Sequence, residues 1–392
     1  MVIRGCWISF VLVMVASALF AQDKLEIHSA PEGERLSEDF RVWVNGRELP
    51  VYYKADRNEP AYQEDCRRFG KGGGDYSFAY FDFKGRAQVR IESGRFSGHV
   101  TVRPLSKKVT PQMLGDGVFE FTLDEPAKLS IEGANPKNGL ILIARAIEEP
   151  PLPKGHPNLI YFGPGVHRPG VIHLKSGQTL YIAGGAVVKA GIVARGRGIT
   201  ICGRGIIDGS GFKWPTNPAG ERGLINFVEC DGVQILGVIV RDSPCWTIVP
   251  MHSCNVRIEN VTICNSSNEN DDGIDPCNTQ RLRIRDCFIR TDDDCIAFKG
   301  WSQLRGRDMN IETILIEGST FWCDRARVFL LGHESKARHM RAITVRDCDI
   351  IHFAMVPFLI EPADDMRISQ IIFSDIRVHG EGQHELIRLR PV

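Results

Sequence analysis

Short apolar runs alternate with turn residues from about residue 25 to residue 147. Apolar side chains recur at every second position of these runs, as in Phe40–Val44, Ala87–Ile91 and Phe119–Leu123. A period of two between regular turn signals is typical of half-buried strands in an antiparallel sandwich. The proline-rich residues 149–153 have no apolar period and indicate a linker. We therefore predict a β-sandwich domain over residues 22–150.

The pattern changes after residue 156, where β-branched runs repeat at a longer interval. The run Val233–Val240 has five echoes that begin 23 to 32 residues apart: Val256–Ile263, Leu282–Ile289, Ile314–Phe321, Ile343–Ile350 and Ile371–Val378. A repeat of this size without a helical period predicts a solenoid, whose coils bury their inner faces by stacking. Two or three strands per unit favour a right-handed parallel β-helix over a propeller. The predicted fold class is thus all-β, with the β-helix over residues 151–392.

The first 21 residues differ from the rest of the chain. Arg4 precedes an apolar run over residues 7–20, which is followed by a small residue. This order is typical of a secretory signal peptide over residues 1–21, and the run is short for a membrane anchor, which is the alternative. We predict a secreted or periplasmic protein with no membrane association after cleavage.

Composition narrows the class of partner. The 392 residues carry 48 basic and 48 acidic side chains, and 43% of the residues are hydrophobic. This balance is that of an ordinary globular protein and gives no indication of nucleic-acid binding. Eleven of the twelve cysteines follow the predicted signal peptide, and they lack the spacing of a zinc site. We interpret them as small buried hydrophobes, and we predict neither a metal nor another cofactor.

Two acidic clusters carry the candidate chemistry, at Asn270–Asp275 and at Thr291–Cys295. Asp272 and Asp293 are 21 residues apart, which is about one coil of a parallel β-helix. Neighbouring coils stack at ~4.8 Å, so the clusters are expected to lie one above the other. Carboxyl groups held that close have their pKa values driven apart, which supplies an acid and a base at one pH. The alternative is that these aspartates only cap exposed turns.

Three motifs in order resemble those of glycoside hydrolase family 28, the polygalacturonase family. Asp242–Val256 begins Asp-Ser-Pro-Cys-Trp-Thr and is similar to the family's Asn-Ser-Pro-x-Trp-Thr coil. Asn270–Pro276 is similar to its Asn-Thr-Asp-Gly-Ile-Asp motif, and Asp293–Ala297 to its Asp-Asp-Cys-[Ile/Val]-Ala motif. The resemblance implies a pectin-lyase-like β-helix that hydrolyses glycosidic bonds with inversion.

By this resemblance, Asp293 is the general acid, while Asp272 and Asp294 hold and deprotonate the attacking water. Inverting enzymes place the acid and base carboxyls ~6.5–9.5 Å apart so that a water fits between base and sugar. The three aspartates are expected to titrate as one coupled set. Asp275 is interpreted as a residue that bonds one coil to the next.

The earlier coils resemble a second family, the dextranase and isopullulanase family (glycoside hydrolase family 49). The similarity is carried by Leu159–His167, Leu180–Lys189 and Gly203–Gly209. That family also has a β-sandwich before its β-helix, so this resemblance implies the same order of domains as the apolar pattern predicts.

The part of the chain that should bind substrate departs from family 28. The family's Gly-His-Gly motif has no histidine in the matching residues 324–332, and His333 falls about six residues late. Its Arg-x-Lys motif, which binds a substrate carboxylate, matches residues 356–362, where no cation occurs. The predicted substrate-binding residues are those near the acidic clusters: Asn270, Lys299, His333 and Arg327. Trp246, Trp301 and Trp322 are candidates for stacking on sugar rings, with a core position favoured for Trp246.

The sequence therefore predicts an exported, inverting, polygalacturonase-like glycosidase whose partner is a polysaccharide or oligosaccharide, and a monomer is expected. Two alternatives stay open. One is a polysaccharide lyase on the same fold that holds Ca²⁺ with its aspartates. The other is a non-catalytic carbohydrate-binding β-helix, which the missing histidine and cation pair would favour.

Overall fold

A computed structural model describes residues 24–54, 74–96, 98–150, 152–212, 220–221, 223–265, 269–300, 310–333, 335, 337–363, 366–379 and 385–390. The predicted signal peptide, residues 1–21, lies outside the described residues, and so does Trp301. No helix in the described part of the chain is long and apolar enough to cross a membrane.

The first part of the chain forms two packed sheets. Within the described residues its strands are β1 (Lys24–Ile27), β2 (Arg41–Val44), β3 (Arg47–Leu49), β4 (Tyr52–Lys54), β5 (Tyr76–Lys84), β6 (Ala87–Glu92), β7 (Thr101–Arg103), β8 (Gln112–Gly115), β9 (Val118–Leu123), β10 (Ala127–Glu132) and β11 (Leu140–Ala146). One sheet has the order β1-β5-β11-β10-β7 with β4 also on β5, and the other has the order β3-β2-β6-β9-β8. Short 3-10 turns occur at Leu105–Lys107 and Pro136–Asn138.

The two sheets share one apolar core, because alternate side chains of each face the other sheet. Val89 and Phe119 of the five-stranded sheet and Leu142 of the six-stranded sheet are fully buried in it. The outer positions of β6 and β9 are largely polar and exposed or half-buried, as the period of two predicts.

The six-stranded sheet is buried on both faces, which explains why β5 and β11 read as nearly continuous apolar runs. Its second face packs against the side of the β-helix. Phe78 and Ile143 from the sheet share a cluster there with Ile239, Phe288 and Trp322 from successive coils.

The rest of the chain is a stack of parallel strands. In the described residues these are β12 (Leu159–Phe162), β13 (Gly165–Leu174), β14 (Thr179–Ile182), β15 (Ala186–Ala194), β16 (Thr200–Gly203), β17 (Ile206–Asp208), β18 (Ile225–Val228), β19 (Asp231–Leu236), β20 (Ile239–Arg241), β21 (Ile248–Met251), β22 (Cys254–Glu259), β23 (Thr262–Cys264), β24 (Gln280–Arg285), β25 (Phe288–Thr291), β26 (Ile296–Phe298), β27 (Ile311–Glu317), β28 (Thr320–Cys323), β29 (Phe329–Gly332), β30 (His339–His352), β31 (Phe358–Glu361), β32 (Arg367–Val378) and β33 (Ile387–Leu389). Each coil pairs with the next in register, as Val233, Val256 and Leu282 do in turn.

The inward side chains of these coils form one continuous apolar core that runs from Ile172 to Met366. The predicted all-β fold, a sandwich followed by a parallel β-helix, is therefore confirmed. Ten cysteines lie in the described residues; all are free thiols and nine are buried. The nine buried cysteines agree with the interpretation of these residues as small buried hydrophobes.

Buried ion pairs cross the seam between the two parts. Arg241 lies on β20 and contacts Asp208 of the preceding coil, with Nε–Oδ2 at 2.8 Å, and Glu34 of the first part at 2.6 Å. The cations of Arg241 and Lys189 outweigh the effect of burial and lower the pKa of Asp208 to about 2. Asp208 is fully buried, so its charge depends on these partners.

An Asp208→Asn variant should lose part of the pH dependence of folding stability. An aspartate titrates near ~3.9 when unfolded, so a folded pKa of about 2 stabilises the protein by ~2–3 kcal/mol above pH ~4. That contribution is lost as the pH falls through the folded pKa. Denaturant unfolding between pH 2 and pH 7 should show a shallower acid decline in the variant. Asp124→Asn, at an exposed pair, is the control, and an unchanged decline in Asp208→Asn would contradict the interpretation.

Candidate active site

Main-chain hydrogen bonds between coils bring the two acidic clusters together. Gly273 N donates to Asp294 O at 2.9 Å, and Cys295 N donates to Arg327 O at 3.0 Å. These bonds extend the parallel register of β26 and β29 to the residues that precede the two strands. Asp272, Asp294 and Arg327 therefore occupy the same position on three successive coils, and their side chains lie side by side on the outer face.

Two features of the first cluster fix the backbone of the second. Asp271 Oδ1 accepts from the main-chain nitrogens of Asp292 at 2.7 Å and Asp293 at 3.1 Å, so one coil caps the turn of the next. Gly273 has no space for a side chain, because a Cβ there would lie 2.5 Å from Cys295 O. The Asp-Gly pair thus sets the close approach of the coils on which the site depends.

The clusters form the floor of a cleft of about 310 Å³. The cleft is lined by all seven predicted site residues: Asn270, Asp272, Asp293, Asp294, Lys299, Arg327 and His333. Trp246, Glu269, Arg325, Ala326, Leu330 and Met355 complete the lining. The structure therefore brings the predicted residues into one place, although their roles stay predictions.

Two of the three candidate catalytic carboxyls are paired with cations. Asp272 Oδ2 contacts Lys299 Nζ at 2.9 Å. Asp294 accepts from Arg327 twice, from the main-chain nitrogen at 2.9 Å and from the guanidinium at 2.8 Å. Burial raises the pKa of Asp294, and Arg327 opposes that rise. Both contacts are charge-assisted hydrogen bonds between a carboxyl and a cation.

Asp293 has a different environment. Its carboxyl forms no ion pair within 4 Å with a described cation, and its Oδ1 accepts only from Asp294 N at 3.1 Å. It is half-buried, whereas Asp272 and Asp294 are buried. Burial, and next the charges of Asp272 and Asp294, raise the pKa of Asp293 well above its usual range. The cluster is thus divided: two carboxyls are each paired with a cation, and the third has no such pair among the described residues.

Arg325 and its partners form the wall beside Asp293. Arg325 Nε contacts Asp292 Oδ2 at 2.7 Å, and its Nη1 lies 3.7 Å from Glu269 Oε2. Burial raises the pKa of Asp292 to about 6, and Arg325 opposes that rise. Most of the Arg325 side chain is buried, so the residue forms a fixed part of the cleft wall.

The predicted substrate-binding residues fall into two groups. Lys299 and Arg327 are largely enclosed and already paired with aspartates, with Lys299 only 4% exposed. His333 is open to the cleft, since its side chain is 51% exposed, and its Nδ1 lies 3.2 Å from Glu361 Oε2. Asn270 lines the cleft next to Asp272.

The tryptophans differ from one another. Trp246 is 2% exposed and packs in an apolar cluster, which is the core position that the sequence analysis favoured. Its ring also borders the cleft, and Lys299 Nζ lies 3.6 Å from the ring centroid. Trp322 is buried on the far side of the coil, where its ring contacts His352 and Arg290. It therefore cannot stack on a sugar in this cleft.

Sequence reasoning missed several lining residues. Glu269, Leu330 and Met355 belong to no motif, and they reach the cleft only through the register of the coils. Glu361 lies in the stretch where a cation pair was sought, and it pairs with His333 instead. The register of Gly332 with Glu361 could have been found by aligning the repeats.

No group of three or more histidine, cysteine, aspartate or glutamate side chains in the described ranges is arranged to hold a metal ion. Three of the clustered aspartates, Asp272, Asp292 and Asp294, are instead paired with Lys299, Arg325 and Arg327.

Fold and site together define a parallel β-helix protein with a carboxylate-lined cleft on one outer face. Residues 188–323 match the model of the family described as Glycosyl hydrolases family 28. This range contains all three motifs around Asp272, Asp293 and Asp294, so the predicted resemblance to family 28 is confirmed there.

Curated relatives match about a third of this chain. A "Probable polygalacturonase" of Vitis vinifera is 35% identical over 139 residues, 33% of this chain and 28% of the relative. A "Probable exopolygalacturonase B" of Emericella nidulans is 27% identical over 154 residues, 35% of this chain and 32% of the relative. The chain thus spans about a third or less of the length of these relatives.

Among solved structures, the chain is similar to Dex49A from Penicillium minioluteum. The TM-score is 0.62 at 14% identity, and the match covers 93% of this chain and 88% of that one. This agreement concerns the fold, and it confirms the predicted likeness to family 49 in the arrangement of sandwich and β-helix.

Replacing Arg327 by methionine should leave Asp294 buried without a cation. Removing one partner of a buried ion pair typically destabilises a protein by ~3–5 kcal/mol. Arg341→Met, which breaks an exposed pair with Glu312, should cost within ~1 kcal/mol. Denaturant unfolding at neutral pH measures both, and equal losses in the two variants would contradict the description of the Arg327 pair.

Proposed function

We propose that this protein is a glycoside hydrolase that cleaves O-glycosidic bonds of a polysaccharide or oligosaccharide with inversion. The observation that supports it most is the division of the three cleft carboxyls. Asp293 has no cation partner among the described residues and its pKa is raised well above its usual range, whereas Asp272 and Asp294 are paired with Lys299 and Arg327. Hydrolysis of a glycoside requires this combination of one acid and one base.

In the proposed mechanism, Asp293 donates its proton to the leaving glycosidic oxygen. Asp272 and Asp294 bind and deprotonate the water that attacks the opposite face of the sugar. The half-exposed position of Asp293 supports its role, because the acid must reach the substrate. Asp271 acts through the backbone, by fixing the turn that carries Asp293.

The proposed substrate class is taken from the names of the curated relatives. The curated relatives are named as polygalacturonases, so a polygalacturonan-like polysaccharide is the first substrate to test. His333 has an exposed imidazole side chain in the cleft, and Arg325 and Arg327 line the same cleft. We propose these residues, with Asn270, as contacts for sugar hydroxyl or carboxylate groups.

Two further properties belong to this proposal. The apolar run of residues 7–20 supports export of the protein to a compartment where polysaccharides occur. The division into a sandwich over 22–150 and a catalytic β-helix over 151–392 is supported by the separate apolar cores of the two parts. A monomer is expected.

Asp293→Asn should lower kcat on a cleaved polysaccharide by at least ~10²-fold, because general acid catalysis contributes ~10²–10⁴-fold. The folded structure should persist, since asparagine can accept the same hydrogen bond from Asp294 N. Asp375→Asn, at an exposed position of β32, is the matched control and should retain wild-type turnover. Reducing-end assays on purified variants measure both, and wild-type turnover by Asp293→Asn would refute the assignment of the acid.

The stereochemistry and class of the reaction form a separate test. Proton NMR of the first products should show the anomer opposite to that of the substrate linkage. Turnover should survive a chelator and give no ultraviolet absorbance from an unsaturated sugar. Retention of the anomer would exclude inversion, while chelator-sensitive release of an absorbing product would favour the lyase. Failure to cleave pectic, rhamnogalacturonan, α-glucan and galactan substrates would favour a binding protein.

A further inference from the structure

The ammonium group of Lys299 is enclosed by side chains of the described residues. Its Nζ lies 2.9 Å from Asp272 Oδ2, 3.0 Å from Asp275 Oδ1 and 3.6 Å from the centroid of the Trp246 ring. The residue is 4% exposed, although it lines the cleft. An ammonium group has three donor hydrogens, and these contacts engage it with two carboxyls and an aromatic face. Little of it is left for a sugar hydroxyl.

The register of the coils fixes the place of this lysine. Cys277 and Lys299 are bridged on adjacent coils, and Ile274 is bridged to Ile296 in the same way. Lys299 therefore projects from the same outer face as Asp272, one coil away. Its position is set by coil stacking and does not depend on a bound ligand.

Asp275 is the second carboxyl that Lys299 contacts. Asp275 is fully buried, and burial raises its pKa well above the usual range, with Lys299 opposing that rise. The ammonium of Lys299 therefore lies between two carboxyls, and burial disfavours the charge of Asp275. The two carboxyls, in turn, hold the pKa of Lys299 well above its ordinary value against the effect of burial.

We infer that Lys299 is a positioning residue of the proposed hydrolase: held between Asp275 and Trp246, it keeps Asp272 ionised and oriented for the attacking water. The inference rests on the proposed function, because it specifies how the base of that reaction is maintained. It replaces the predicted role of Lys299 in substrate binding. Lys299 acts through Asp272 and does not contact the reacting atoms.

Other charged groups also act on Asp272. Asp293 and Asp294 face it from the next coil as groups of like charge, whereas Arg327 faces it from the coil beyond as a group of opposite charge. Cys277 borders Lys299, and Glu269 and His333 line the same cleft. Lys299 is the cation in direct contact with Asp272 among the described residues, so its removal should dominate any change.

The test compares pH profiles of kcat/KM for wild type, Lys299→Met and Lys299→Arg. Activity is lost on the acid side as the base takes up a proton. An opposite charge at this distance lowers the pKa of a carboxyl by ~1–3 units, so Lys299→Met should move the acid limb upward by ~1–3 pH units. Lys299→Arg keeps the charge and should leave the limb near its wild-type position. Lys189→Met removes a paired lysine outside the cleft and is the matched control.

The outcomes separate a positioning role from a structural one. A fall in rate with an unmoved acid limb in Lys299→Met would refute the inference, and so would equal shifts in the methionine and arginine variants. A fall in kcat/KM through KM alone, again with the limb unmoved, would restore the substrate-binding role.

A reciprocal measurement requires no Lys299 variant and no turnover. In ¹⁵N-lysine-labelled protein, the Nζ of Lys299 should titrate at lower pH in Asp272→Asn than in wild type, because one of its two carboxyl partners is lost. An unchanged titration would contradict the inference even for a protein that hydrolyses glycans. A lowered titration in a protein without hydrolytic activity would support the pairing while the proposed function fails.

Discussion

Stacking of parallel coils at one inter-strand distance is the constraint on which the cleft depends. Each main-chain bond between coils fixes where the next outward side chain must lie, so Asp272, Asp294 and Arg327 become neighbours without any local sequence contact. Gly273 allows the coils to approach, and Asp271 ties the turn of one coil to the turn of the next. The site is carried by coils that stack on one apolar core, and the proposed catalysis would require such preorganised groups.

The same stacking explains the electrostatics. Carboxyl groups one coil apart repel one another when all are ionised, so the structure interleaves cations among them. Lys299 pairs with Asp272, Arg327 pairs with Asp294 and Arg325 pairs with Asp292, whereas Asp293 has no such partner in the described part of the chain. The proton of the cluster is therefore expected on Asp293. All three side chains are aspartates, so in the proposed mechanism the acid and the base differ only by their neighbours.

Much of the fold and of the acidic floor could be predicted from the sequence, because both depend on periodic patterns. The spacing of the β-branched runs defined the coils, and the 21 residues between Asp272 and Asp293 placed the clusters on adjacent coils. The walls were harder to predict. Glu269 and Met355 belong to no motif, and the environment of Lys299 depends on which of its neighbours are buried. Burial of Asp275 and the proximity of Trp246 arise from three-dimensional packing and leave no periodic signal.

We propose that the three aspartates share one proton unequally. Neutron diffraction from a deuterium-exchanged crystal at near-neutral pH would locate that proton directly. We expect a deuteron on a carboxyl oxygen of Asp293, bare carboxylates at Asp272 and Asp294, and three deuterons on Lys299 Nζ. A deuteron on Asp272 or Asp294 with a bare Asp293 would contradict it.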